Sequence, residues 1–291
     1  MVQWLPGTII GGGKVDQVML ASAAHIFLRD ATTVQFGLDA TRAGAVETEH
    51  APALVAALLA ARSPIAETDL LSRLSRIGFS TAAAGSLFAD LRNYRILVPA
   101  PGGAVIILGR SRLARATAEI LRAAGQVVRA PLLGESEYAY LAATDIDVPV
   151  LVIDRLAHSR LMAPLLARLA GSWAPASIID GRGVIGPLRI DGSGPCPMCV
   201  DLHRATRDPQ WYRTVSQLPG GPTSPDPLTV AATAARLAAV AQQLLGRDLA
   251  PPGAPLEQLT PGMMLKVDPR GAGAPPTTLR PHPRCPVCWY Y

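Results

Sequence analysis

Four cysteines stand in the sequence as two pairs of identical spacing, Cys196-Pro-Met-Cys199 and Cys285-Pro-Val-Cys288. A two-residue spacer lets both sulfurs of such a knuckle reach one metal ion, and two knuckles supply the four thiolates of a tetrahedral zinc site. Cys196, Cys199, Cys285 and Cys288 are therefore read as ligands of a structural Zn2+. Sulfur fills every coordination position, so the ion performs no chemistry and acts as a staple, tying RPHPRCPVCWYY (280–291) to the middle of the chain. Two other readings stay open. Redox or disulfide pairs would want an oxidising compartment, or a pair at the start of a helix, whereas both pairs lie in Pro-rich loop sequence; the last reading is four unliganded thiols. His203 and His282 stand near the knuckles and are expected to flank the site without ligating.

Composition bounds what must hold these residues. The 291 residues are 49% hydrophobic and 17% charged, enough chain for one large core or two smaller ones and too apolar for a disordered protein. The apolar runs LVAALLAA (54–61) and VIIL (105–108) are far shorter than the roughly 20 residues of a spanning helix. The Ala-rich stretch 228–245 carries Arg236, Gln242 and Gln243 and reads as an amphipathic helix. MVQWLPGTIIGGG at the start has no basic head before an apolar core, so no secretory signal is read and the cytoplasm is expected. The net charge of +5 comes from scattered arginines, which never form the run of five or more that marks a nucleic-acid tail.

The punctuation VPAPGG (98–103) marks a boundary between domains at 1–99 and 100–291. Before it, HIFLRD (25–30), TVQFGLD (33–39) and AVETE (45–49) read as short strands, with turns at Asp30-Ala31-Thr32 and Ala43-Gly44. Helical periodicity then runs through 51–62, 67–78 and 80–95, and ILVP (96–99) reads as a returning strand. Hairpin, three helices and strand describe a winged helix-turn-helix. Its third helix holds no Arg, Lys, Asn or Gln before Arg92, so it lacks the donors that base edges and phosphates need. A DNA-binding regulator is thus a weaker reading than a groove accepting an extended peptide as an added strand. The peptide is expected between the hairpin edge at 33–38 and the 81–93 helix, against Val34, Phe36, Ala84, Leu87, Phe88 and Leu91.

After the boundary, 104–130 reads as strand, turn, helix and strand, the first unit of a Rossmann-type sheet. VPVLVID (148–154) and ASIIDG (176–181) continue as strands around a helix at 160–171, a hairpin is expected from Gly181 onward, and 201–213 reads as a solvated helix with Arg204 and Asp208 at ion-pair spacing. Residues 250–281 are Pro/Gly-rich around one strand-like stretch, MMLKVD (263–268).

With these elements laid out, GPCPMCVDLHRATRDPQW (194–211), DGRGVIGPL (180–188) and HPRCPVCW (282–289) resemble the ThiF-like, ubiquitin-activating-enzyme superfamily. More narrowly, the chain resembles the actinobacterial leader-peptide-binding cyclodehydratase components of thiazole/oxazole-modified microcin biosynthesis. That resemblance implies an α/β fold with an N-terminal peptide-recognition winged helix, a homodimer, and a YcaO-type cyclodehydratase partner that performs the chemistry. Active members adenylate a carboxylate with ATP. Here the phosphate turn keeps only Gly109, with Arg110 and Arg112 where side chains intrude, no acidic residue follows the strand at 127–131, and LLGESEYAYLAA (132–143) has no Asn-Leu-x-Arg-Gln element. With the cysteines assigned to zinc, no acyl-accepting nucleophile remains. The expectation is a non-catalytic scaffold that presents a leader peptide to its partner; the alternative is a weak ATP-dependent adenylating enzyme.

Overall fold

The computed structural model describes residues 17–39, 41, 44–143, 148–169, 171–247, 251–255 and 257–288. The segment read for a signal (1–13), Ala43 of the expected turn, Ala170 and the last three residues of the closing tract lie outside them. Two compact units divide the chain: one of residues up to Pro101 together with those between Arg247 and Glu257, the other of Gly102–Gly246 and Gln258 onward.

In the first unit, β2 (Ile26–Leu28), β3 (Thr33–Phe36) and β4 (Ala45–Glu47) form an antiparallel meander in that order. Asp30 makes the first turn, its Oδ1 accepting the Thr32 N–H at 2.9 Å. Three helices follow, α1 (Ala51–Leu59), α2 (Glu67–Arg76) and α3 (Thr81–Asn93), the last capped by Ser80 Oγ accepting the Ala83 N–H. Leu54 and Leu58, Leu70 and Leu74, and Leu87, Phe88 and Leu91 recur at three- and four-residue steps and converge on Val34 and Phe36 in one core. The returning strand expected at 96–99 is present as β6 (Leu97–Pro99), but it pairs with β1 (Gln17–Leu20), which also pairs with β5 (Ile65–Ala66), in a sheet separate from the meander.

The second unit is built on one seven-stranded sheet. β8 (Val127–Arg129), β7 (Ala104–Leu108), β9 (Val150–Ile153) and β10 (Trp173–Ile179) lie parallel in that order, and β11 (Arg182–Ile185), β12 (Met263–Val267) and β13 (Thr277–Thr278) extend the sheet antiparallel. All residues of β7 and β9 are buried, as continuous apolar strands covered on both faces must be. α4 (Arg112–Ala123) and α9 (Pro227–Leu244) cover one face through Leu113, Leu121, Ala234 and Leu237; α5 (Glu137–Ala143) and α6 (Ser159–Arg168) cover the other through Leu141, Met162 and Leu166.

Three expectations shift here. The hairpin turn is Asp180-Gly181 itself, both residues at positive φ (49° and 77°) with Ile179 opposite Arg182, the backbone a two-residue Asp-Gly loop adopts. β10 begins at Trp173, upstream of Pro175, a residue that discourages a strand reading. The helix expected over 201–213 is α7 (Pro197–Arg207) followed by α8 (Trp211–Val215). Arg204 stacks over Trp211 at 4.5 Å, while Asp208 Oδ1 accepts the Gln210 N–H, so the two side chains turn to other partners than each other.

Candidate functional site

α7 starts in the first knuckle: Cys196 is its N-cap, Pro197 opens its first turn and Cys199 sits within that turn. The first pair therefore lies at a helix start and not in a loop, which corrects the reading above. What separates the cluster from a redox pair is the arrival of the second knuckle. Cys196 Sγ lies 3.9 Å from Cys199 and 3.5 Å from Cys285, and Cys199 Sγ lies 3.4 Å from Cys288. Zn–S bonds of about 2.3 Å in a tetrahedron require sulfurs about 3.8 Å apart, whereas a disulfide requires about 2.05 Å. The four sulfurs lie within 4.8 Å of one another, three of the cysteines buried and Cys288 partly so, a donor set that fits a metal ion.

The surroundings suit that role. Ala163 and Ala167 of α6 back the sulfurs with small side chains. α6 is itself held by Trp173, fully buried, whose Nε1 donates to the Leu166 carbonyl at 3.2 Å. Arg160 Nε donates to the buried Asp201 Oδ2 at 2.6 Å, pinning α6 to α7. The Cys288 N–H points at Cys285 Sγ at 3.4 Å. The Cys196 thiol, hydrogen-bonded to Cys199, is pushed up while the same contact holds Cys199 down at about 5, and burial pushes Cys288 up to about 11. His203 and His282 flank the cluster, rings 4.7 Å apart edge to face, His203 Nε2 against the Arg280 carbonyl at 2.9 Å. They clasp the closing segment to α7 and stand outside the four-sulfur group.

At the carboxyl ends of β7 and β9, Gly109 has φ +113°, and a Cβ there would stand 2.3 Å from the Ile153 carbonyl, so glycine is required by the neighbouring strand. Ser111 caps α4, its Oγ accepting the Ala114 N–H. Arg110 is exposed and turns to the carbonyls of Pro131 and Leu132; Arg112 is exposed as the first residue of α4. Two residues the sequence reading passed over meet the turn. Gly109 N–H donates to Glu137 Oε1 at 2.9 Å, and Arg155 grips the same carboxylate with Nε and Nη2 at 2.8 and 2.6 Å. Burial opposes ionisation of Glu137, yet the Arg155 contacts and the Gly109 N–H outweigh it and hold the carboxyl below its ordinary range. These residues do not fit ATP: its phosphate position already faces a carboxylate.

In the first unit a shallow cleft is lined by Phe36, Ala45, Val46, Leu87, Leu91 and Ile96, with Asp90 among them. Val34, Phe36, Ala84, Leu87, Phe88 and Leu91 are all buried core residues; Phe36, Leu87 and Leu91 also floor the cleft. The expected edge at 33–38 is corrected: β3 is the central strand, and the free edge beside the cleft is β4. Because Phe36 N–H meets Gly44 O and Thr48 N–H meets Thr32 O, alternation turns the main-chain groups of Ala45 and Glu47 outward. Three consecutive short strands in a meander put the second one inside, so the order of the three was the signal that could have found this edge.

No protein-family model and no curated protein sequence matches the chain. Solved structures do. A heterocyclase in complex with substrate and cofactor (TM-score 0.57, 12% identity) and the heterocyclase TruD (0.57, 15%) each align with 94% of this chain, over 39% and 42% of their own length. E. coli MccB with succinimide aligns with 94% of this chain and 100% of its own (0.51, 12%). The chain shares its fold with both kinds of protein and spans about two fifths of the heterocyclases. No helix among the described residues is long and apolar enough to cross a membrane.

Proposed function

We propose that the chain is a non-catalytic recognition scaffold of ribosomal peptide modification. Its first unit, a winged helix-turn-helix, captures a leader or other extended peptide; its second, a degenerate ThiF-like domain, presents that peptide to a YcaO-type cyclodehydratase in a cytoplasmic assembly, with the chain itself a homodimer. The observation that carries this is the open β4 edge beside the apolar cleft. Strand addition supplies affinity through main-chain bonds to Ala45 and Glu47, and apolar peptide side chains enter against Phe36, Val46, Leu87 and Leu91. Asp90 at the cleft favours a basic residue in the peptide. Cys196, Cys199, Cys285 and Cys288 hold Zn2+ as a structural tie. Its fold-sharing neighbours include heterocyclases and MccB, which supports this pathway as the setting.

The test is fluorescence polarisation with labelled peptides made from the short reading frames adjacent to the gene. Saturable binding, displaced by unlabelled peptide, is expected for one of them. Failure of every such peptide to bind sinks the reading.

A further inference from the structure

Strand, glycine turn and helix at 104–123 make the unit that elsewhere receives a phosphate, because turn N–H groups and the helix start face the strand ends. In this chain the Gly109 N–H and the Arg155 guanidinium converge on one point, and the Glu137 carboxylate occupies it. The convergence is built in. Gly109 is locked by the Ile153 carbonyl, and Arg155 stands two residues past the end of β9, its Nη1 also reaching the Asp154 carbonyl. Both side chains are largely withdrawn from water, Glu137 at 20% and Arg155 at 14% exposure. A two-point guanidinium fork grips a carboxylate and a phosphate with the same geometry.

We propose that Glu137 fills from within the chain the place an oxyanion would take between Gly109 and Arg155, so that this unit accepts no phosphate while Glu137 is seated. Removing the carboxylate opens a site for phosphate or pyrophosphate. The inference deepens the non-catalytic reading above, since it names the group that closes the nucleotide position, and it stands or falls separately from peptide capture.

Calorimetric titration of the full chain with inorganic pyrophosphate tests it. Wild type is expected to give no binding, Glu137→Ala to bind at least tenfold more tightly than the wild-type detection limit, and the further change Arg155→Ala to abolish that gain. Glu137→Ser, too short to reach Gly109 or Arg155, serves as the second variant should Glu137→Ala fail to fold. Uptake of pyrophosphate by wild type, which needs no variant, overturns the inference; so does a folded Glu137→Ala or Glu137→Ser protein that takes up none. Peptide affinity measured on the same preparations is expected to stay unchanged, and its loss would count against the scaffold reading alone.

Discussion

The Sγ atoms of Cys199 and Cys288 lie 3.4 Å apart although 89 positions separate them in the chain. Four thiolates so close together in a largely buried cluster repel one another unless a cation neutralises them, and metal binding at such sites is also folding energy. Freshly purified protein is therefore expected to contain one zinc per chain by elemental analysis. Cys199→Ser or Cys288→Ser should lower the melting temperature of the second unit, and chelation should do the same to wild type. Absence of zinc, or replacement by iron in the same preparations, would overturn the assignment.

Peptide capture on β4 predicts a selective effect of proline. At Glu47 the N–H faces away from β3, so Glu47→Pro removes an outward donor while sparing the meander's own bonds. Peptide affinity should fall about tenfold or more, since one lost main-chain bond and the added ring both act at the contact, while thermal stability shifts by less than ~1 kcal/mol. Equal loss of stability and binding would argue against this edge.

Gly183 tests the packing of α9 on the sheet. A Cβ there would stand 2.1 Å from Thr233 Oγ1 and 2.9 Å from Thr233 Cβ, so Gly183→Ala must push the helix away. Unfolding by denaturant should show a loss of about 2 kcal/mol or more.

The Glu137 carboxyl is held below its ordinary value of 4.5, so its stabilisation is fully present above that pH and is lost as pH falls through the lower folded value. The stability difference between wild type and Glu137→Gln should accordingly be greatest near neutrality and shrink below pH 4.5. A difference that grows on acidification would show that Arg155 does not hold the ionised form.

The four-cysteine cluster is legible in the sequence because ligand spacing is local, and the two knuckles carry it without knowledge of the fold between them. The three helices of the first unit and the strands β7 and β9 are legible for a similar reason, since their periodicity or unbroken apolar run reports burial directly. Other features depend on partners distant in sequence. Nothing around Glu137 announces that it will meet Gly109 and Arg155, because helix α5 is seven residues long and that contact exists only once β7 and β9 are side by side. β1 escaped notice because four residues show too little alternation, and its neighbours β5 and β6 are brought to it by the helices between them. The helix start at Cys196 was obscured by the prolines beside it, although proline at the first helical position favours just such a start.

Closure of the four-sulfur cluster also orders events during synthesis. α7 and its two cysteines leave the ribosome well before β12, β13 and the second knuckle, so the first pair meets the sulfurs that complete the cluster only late in synthesis. Only a chain elongated through Cys288 can shut the cluster, and β12 and β13, which extend the sheet beyond β11, are made before that point. Chains that stop before β12 keep an open β11 edge, which exposes them to pairing with other chains or to proteolysis. A closed four-sulfur cluster is thus found only in a chain whose sheet has been fully translated.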